Sequence, residues 1–192
     1  MNLTQDFFKS LRLVIALWLL TAVVYPIIML VIGQVVFPYQ ANGSLLTNGE
    51  GKTIGSALIG QPFKSDRYFL SRPSSIDYAT QPAVATTGIS GGSNLAPSNS
   101  ALIDRIKPIA QGLQQAQIKP TADLLYTSGS GLDPHISLES AQAQVQRVAQ
   151  VRKLTEAQVQ ALITKAIDDR SIGFFGEPGV NVLKLNLSLD KG

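Results

Sequence analysis

The chain has 192 residues, of which 45% are hydrophobic and 15% charged, and its formal net charge is +3. Soluble domains usually contain about 25% charged residues, so this fraction is low. Cysteine is absent, which excludes a disulfide framework, a thiol nucleophile, a lipidated cysteine and a cysteine-based zinc site. The basic residues are scattered along the chain, so the sequence predicts no nucleic-acid binding.

The first predicted element is an apolar helix at 13–37, a run of 25 residues without a charged side chain. A helix of this length reaches roughly 37 Å, more than the hydrocarbon thickness of about 30 Å. A cleaved signal peptide has a shorter apolar region, of about 7 to 15 residues, and small residues before its cleavage site. The best cleavage position here, after Ala41, places the bulky Tyr39 two residues earlier. The pattern therefore favours an uncleaved membrane anchor.

Charged residues at the two ends of this run predict its orientation. Lys9 and Arg12 precede the run, and the next cation after it is Lys52. By the positive-inside rule, the N-terminus lies in the cytoplasm and the chain beyond about residue 40 lies outside. The predicted organisation is a cytoplasmic N-terminus at 1–12, a transmembrane helix at 13–37, a linker at 38–55 and an extracytoplasmic domain at 56–192.

The predicted domain begins with two short extended segments, at 55–63 and 66–75, each ending near a proline. A stretch of about thirty residues rich in Gly, Ser, Thr and Pro follows, and loops of that length usually have a function. The first main helix is predicted to begin after an N-cap at Asn99 or Ser100. Pro108 is predicted to bend or split this helix.

Two further helices are predicted from caps and apolar stripes. Ser137 is placed to cap a second helix that continues to about Arg152, and Thr155 with Gln158 forms a capping box for a third helix.

Two other segments are predicted to be strands. "ADLLYTS" (122–128) is a short apolar run, and in "VNVLKLNLSL" (180–189) leucines alternate with polar residues. The sequence therefore predicts an α/β or α+β domain with about three main helices and a small sheet.

A glycine-rich segment, "GISGGSNL" (88–95), is the first candidate binding site. Its backbone N–H groups are arranged in a pattern that can face an anion such as a nucleotide phosphate. The alternative interpretation, without a binding function, is a turn whose glycines adopt positive φ. The nucleotide-contact candidates are Ser90, Gly91, Gly92, Ser93 and Asn94.

A second candidate is "TSGSGLDPHIS" (127–137), which contains the only histidine of the chain. Ser130, Asp133 and His135 are too close in sequence to adopt the geometry of a catalytic triad. A lone histidine with dispersed carboxylates gives no metal-ligand spacing. The sequence therefore predicts no catalytic residue, no metal and no cofactor. Asp133 is predicted to cap a turn, and His135 to be a solvent-side or interface residue.

Six blocks in a fixed order cover nearly the whole chain. Together they resemble the C subunits of Kdp-type potassium-transporting ATPases, the KdpC family. The chain departs from that pattern at Ala96, where the family often has glycine, and at Ser100, where it often has proline. The blocks are "GSALIGQPF" (55–63), "YFLSRPSS" (68–75), "SGGSNLAPSN" (90–99), "SGSGLDPHIS" (128–137), "AQVQRVAQVR" (143–152) and "GEPGVNVLKLN" (176–186).

This resemblance implies a non-catalytic subunit of an inner-membrane pump that also contains KdpA, KdpB and KdpF. In that family KdpA selects K⁺, KdpB is the P-type ATPase, and the C subunit stabilises the complex on the outer face of KdpA. A role in raising ATP affinity has been proposed for the family, and it conflicts with the topology predicted above. The predicted partner contacts are Ser130, Asp133, His135 and Arg147, the last as an inward anchor to a carboxylate.

Two other function classes remain open. One is a membrane-tethered enzyme or nucleotide-binding regulator that uses the segment 88–95, and the other is a solute-binding protein on a stalk, which requires a ligand cleft.

Overall fold

The computed structural model describes residues 3–82 and 87–191. The chain divides into two compact units, Met1–Leu45 and Leu46–Gly192. The predicted long loop before the first main helix falls in the second unit, and its residues 83–86 lie outside the described part of the chain.

The first unit is helical throughout most of its length. Helix α1 (Leu3–Leu19), a π-helical turn (Leu20–Val24) and helix α2 (Tyr25–Val36) form one continuous helix of 34 residues, long and apolar enough to cross a membrane. A short helix α3 (Pro38–Ala41) follows. The π-helical turn ends two residues before Pro26, which lacks a backbone N–H. The wider turn accommodates the carbonyls that proline would otherwise crowd.

The second unit starts with a two-stranded sheet of β1 (Leu45–Thr47) and β2 (Thr53–Ser56). Asn48 organises the turn between them, since its Oδ1 accepts hydrogen bonds from the backbone N–H groups of Glu50 and Lys52. Of the predicted extended segment 55–63, only the first two residues belong to a strand.

The predicted extended segment 66–75 contains no strand. Its first residues form a turn in which the N–H of Tyr68 donates to the carbonyl of Ser65, and side chains satisfy the backbone of the two residues that follow. Asn186 pairs with both backbone groups of Phe69: its Oδ1 accepts from the N–H at 2.8 Å and its Nδ2 donates to the carbonyl at 3.0 Å. Gln144 does the same for Leu70, with its Oε1 accepting from the N–H at 2.7 Å and its Nε2 donating to the carbonyl at 3.4 Å. Because buried backbone groups need partners, these two amides replace a neighbouring strand.

The predicted helix caps are confirmed. Asn99 accepts a hydrogen bond from the N–H of Ala101, and Ser137 accepts one from the N–H of Ser140. Thr155 and Gln158 form the complete capping box. The helices of the second unit are α4 (Ser100–Gln115), α5 (Ala122–Leu125), α6 (Leu138–Gln142), α7 (Val145–Arg152), α8 (Glu156–Lys165) and α9 (Val182–Asp190).

Two predictions about helix continuity are wrong. Helix α4 continues through Pro108 without a break; Pro108 and Asp104, the residue whose carbonyl loses its helical donor, are both exposed. The predicted second helix is instead interrupted between α6 and α7. Gln144 stands at this break, fully buried, with its side chain bonded to Leu70 and to the carbonyl of Ser140.

Both strands predicted from apolar patterns are also wrong over most of their length. Residues 122–125 form the single helical turn α5. In 180–189 only the first two residues are in a strand, and helix α9 follows at once, with the side chain of Asn181 accepting from the N–H of Lys184 as its N-cap. The buried positions Val182, Leu185 and Leu189 recur at three and four residues, which is the helical spacing.

A small antiparallel sheet lies next to the core. It consists of β3 (His135–Ile136), β5 (Gly179–Asn181) and β4 (Ile167–Asp168), with β5 in the middle. Ile136 and Ile167 both stand opposite Val180 in the register. The mixed α/β class is therefore confirmed, with more and shorter helices than predicted. The main core cluster comprises Phe69, Ile136, Ala141, Val145, Val148, Ala149, Val159, Ile163, Ala166, Val180, Val182, Leu185 and Leu189.

Candidate functional site

A chain of ion pairs crosses the small sheet. His135 on β3 and Asp168 on β4 stand on either side of β5, and the His135 Nε2 and Asp168 Oδ2 atoms are 2.9 Å apart. Gly179 of β5 makes this possible: a Cβ atom there would lie 3.0 Å from the Cβ of His135. The absence of a side chain on the central strand thus lets the imidazole reach the far strand.

Asp133 continues the network on the near side of His135. Its Oδ1 accepts a hydrogen bond from the backbone N–H of His135 at 3.0 Å and lies 3.6 Å from the Nδ1 of the ring. Its Oδ2 accepts from the Arg72 Nη1 at 3.0 Å. Arg72 in turn places its Nε 3.9 Å from an oxygen of Asp123. The predicted turn cap at Asp133 is confirmed, and the same carboxylate also binds an arginine.

Lys184 ends the network on the far side. Its Nζ lies 2.7 Å and 3.0 Å from the two carboxylate oxygens of Asp168. Because Lys184 belongs to the first turn of α9, which directly follows β5, this ion pair ties the helix to the neighbouring strand β4. Asp168 therefore has two basic partners, His135 from β3 and Lys184 from α9.

These contacts shift the ionisation of the network. The carboxylate of Asp133 beside the ring is the main reason why the pKa of His135 is raised, and Asp168 adds to it against the opposing effect of burial. Burial alone favours the neutral form of Asp168, but hydrogen bonds from His135 and Lys184 outweigh it, so its pKa is lowered. The pKa of Asp133 is lowered for the same reasons, with burial opposed by His135 and Arg72.

We predict that thermal stability falls as the pH rises above 6.5, the ordinary pKa of histidine. A histidine whose folded pKa lies above its unfolded value of 6.5 stabilises the fold fully below that value and loses this contribution as the pH rises through the folded pKa. The lowered pKa values of Asp133 and Asp168 act in the opposite direction, and their contribution is lost only in acid, below 3.8.

The measurement is the melting temperature of the full chain across this pH range, with His135→Gln as the control. Since His135 is the only histidine, the control should remove most of the pH dependence. An unchanged slope in the control would contradict the assignment.

The predicted partner-contact residue Ser130 forms hydrogen bonds within its own loop and with the glycine-rich loop 88–95. Its Oγ accepts from the N–H of Leu132 at 3.1 Å, and its carbonyl accepts from the N–H of Gly91 at 2.7 Å. Gly131 follows with a φ of 70°. The structure thus joins the two loops that the sequence singled out separately.

The turn interpretation of the predicted nucleotide loop applies to one of its glycines, Gly88, and the central pair Gly91 and Gly92 has another role. Positive φ occurs within 88–95 at Gly88 and Asn94, not at the central pair. The N–H of Gly91 donates to Ser130 instead of facing an open space. A Cβ atom on Gly92 would lie 2.9 Å from the carbonyl oxygen of Gly129. Close backbone packing therefore explains the central glycines.

The remaining nucleotide candidates stay near the surface. Ser90 and Asn94 are exposed, and Ser93 is half-buried, with its Oγ 3.4 Å from the Oγ of Thr127.

Arg147 reaches inward, as predicted, but its closest partners are carbonyls. Only 9% of its side chain is exposed. The guanidinium donates to the carbonyls of Asp66 and Tyr68 and to the Oε1 of Gln144, while the nearest carboxylate oxygen of Asp66 lies 4.0 Å away. These contacts fix the turn at residues 65–68 against α7.

Sequence reasoning missed Arg72, Asp168 and Lys184 as members of the network. Their partners lie 61, 33 and 16 positions away along the chain, so no local spacing connects them. Gly179 could have indicated the site from the sequence, because a glycine within a strand often marks a place where another part of the chain approaches the strand closely.

The network borders a cavity of about 430 Å³, lined by residues that include Asp133, His135, Asp168 and Glu177. In the described parts of the chain, no three His, Asp or Glu side chains are placed to hold a metal ion. The arrangement is suited to cross-linking the two outer strands of the sheet and helix α9 through charge-assisted hydrogen bonds.

Within residues 3–82 and 87–191, one helix is long and apolar enough to cross a membrane, and a small α/β unit braced by internal ion pairs follows it in the chain. This combination is consistent with a membrane-anchored protein. The family model for the K⁺-transporting ATPase c chain, KdpC, matches residues 7–191, and the chain belongs to this family. A potassium-transporting ATPase KdpC subunit of Synechocystis sp. is 59% identical over 97% of this chain and 98% of its own. The KdpC subunit of Microcystis aeruginosa is 55% identical over 99% of this chain and 97% of its own.

Proposed function

We propose that this chain is a non-catalytic, membrane-anchored subunit of an ATP-driven potassium import complex. In this role it stabilises the assembly of the K⁺-selecting subunit KdpA with the ATP-hydrolysing subunit KdpB, with KdpF as a further partner. Family membership supports the proposal, since the relatives carry the name of a potassium-transporting ATPase subunit. The observation that carries it is the helix Leu3–Val36, the one helix of membrane-spanning length among the described residues. One helix cannot enclose a conduction path, so transport must belong to partners.

The proposal includes an orientation. With Lys9 and Arg12 before the apolar run, residues 1–12 lie in the cytoplasm, 13–37 span the inner membrane, 38–55 form a linker and 56–192 lie outside. A domain in that position caps the outer entrance of the K⁺-selecting subunit. Within it, Ser130, Asp133 and His135 stay our predicted partner contacts, since they are at least partly accessible.

We expect alkaline phosphatase fused after residue 60 to be active, because that enzyme functions only outside the cytoplasm. A fusion before residue 12 is the matched control and should be inactive. The reverse pattern would contradict the orientation and would favour a cytoplasmic nucleotide-binding regulator that uses 88–95.

We also expect deletion of this chain to separate the complex. Tagged KdpB should retain KdpA during detergent purification when the full chain is present, and should lose most of it when the chain is absent. Re-expression of the full chain from a plasmid is the control and should restore retention. A fully active pump purified without this chain would exclude an assembly role.

A further inference from the structure

The loop 169–178 between β4 and β5 carries an apolar tip, defined here as Ile172, Phe174 and Phe175. The exposed fractions of these three residues are 83%, 63% and 60%. The two phenylalanine rings contact each other, with centroids 4.2 Å apart. A contiguous group of large apolar side chains in water is unfavourable and is typical of an interaction site.

The backbone holds the apolar tip in a defined shape. Ser171 and Phe175 pair as an isolated bridge, with backbone hydrogen bonds of 2.9 Å and 3.0 Å in the two directions. Ile172 has a φ of 55° and Gly173 one of 82°. For a β-branched residue such as isoleucine this conformation is an outlier. The chain thus keeps a costly backbone conformation at the position where its most exposed isoleucine stands.

An ion pair at the base of the loop adds to this order. Arg170 Nη2 lies 3.1 Å from Glu177 Oε2. The apolar tip is therefore preorganised, and binding to it loses little conformational freedom.

The charges around the apolar tip indicate what covers it. Arg170 is the only cation between 168 and 178, and Glu177 neutralises it. Asp169 is exposed and has no ion pair among the described residues. Segments that enter a lipid surface usually carry lysine or arginine beside their apolar residues. A tip with a free carboxylate and no free cation instead fits a protein pocket with an apolar floor and a basic rim.

We propose that the apolar tip inserts into such a pocket on another protein subunit of the same complex. The inference rests on the proposed function, since it takes the partner to be a subunit of the potassium-transporting ATPase. Large aromatic side chains that fill a partner's pocket commonly dominate the binding energy of an interface. The apolar tip is then the part of this domain whose removal weakens the complex most.

The test uses the full chain in its native membrane complex. Phe174→Ser with Phe175→Ser removes the rings and leaves Arg170 and Glu177 in place. Leu58→Ser is the matched control, because Leu58 is also 63% exposed and belongs to another loop. We expect the double variant to retain the partner subunits at least about thirtyfold more weakly than wild type in detergent purification, with Leu58→Ser unchanged. The melting temperature of each purified chain shows that the fold is intact.

A photocrosslinker identifies what the tip touches. A benzophenone amino acid at position 174, irradiated in intact membranes, should form an adduct with KdpA or KdpB, identified by mass spectrometry. An adduct with lipid alone would overturn the proposal in favour of the bilayer. Undiminished retention by the double variant, or an equal loss in Leu58→Ser, would also overturn it. If the wild-type chain itself retains no partner subunit, the proposed function fails, and this inference fails with it.

Discussion

Replacing Asn186 with alanine is expected to lower the free energy of unfolding by about 3–5 kcal/mol. The substitution leaves the N–H and the carbonyl of Phe69 without their partners in a fully buried position. An orphaned buried polar group costs about 1–3 kcal/mol, and two groups are affected here. For a domain of this size, the melting temperature should fall by roughly 10 °C.

The matched control for this prediction is Ser188→Ala on the same helix. Ser188 is half-buried, and its Oγ donates only to the carbonyl of Lys184 within α9. Such local bonds contribute little to stability, so the melting temperature should move by no more than about 2 °C. Thermal unfolding of both variants in detergent, followed by circular dichroism, makes the comparison. Equal shifts would show that the amide of Asn186 does not hold the segment 66–70.

Gly131→Ala should destabilise the second unit by about 2–4 kcal/mol. The residue has a φ of 70°, which costs an L-residue about 1–2 kcal/mol. A Cβ atom there would also lie 2.6 Å from the side chain of Ile76 and 2.7 Å from the carbonyl oxygen of Gly91. Overpacking of this kind typically costs a further 1–3 kcal/mol. The substitution should separate the loop 127–134 from the glycine-rich loop.

Gly129→Ala, two residues earlier in the same motif, is the control. A Cβ atom at Gly129 meets nothing within 4 Å, and the residue is not among those with positive φ. Its effect on the free energy of unfolding should stay within about 0.5 kcal/mol. Urea unfolding of the two variants distinguishes the cases. Comparable losses at both positions would mean that the loop is sensitive to any side chain, and not to the close approach at Gly131.

The sequence predicted the parts of the fold that local chemistry determines. Caps at Asn99, Ser137 and Thr155 depend on bonds within three residues, and the apolar helix depends on composition alone. The strand assigned to 180–189 failed for a physical reason. Leucines at every second position alternate as in a strand, but those four residues apart also share one face of a helix. Asn181, which caps the helix, stands inside the apparent strand.

The candidate site was predictable only in part. Asp133 and His135 could be found because they flank a proline in an unusual loop. Their partners Arg72 and Asp168 come from distant segments, so only the folded chain shows that they meet. The apolar tip at 172–175 gave no signal either, because exposed and buried phenylalanines look alike in a sequence.

The pairing of Phe69 with Asn186 has a consequence for biosynthesis. The two residues are 117 positions apart, and Asn186 stands in α9. During translation Phe69 therefore waits for this partner until 117 further residues have been added. Contacts of such long sequence separation also slow the search for the native topology. We therefore expect the backbone around Phe69 to be fixed only after α9 has formed.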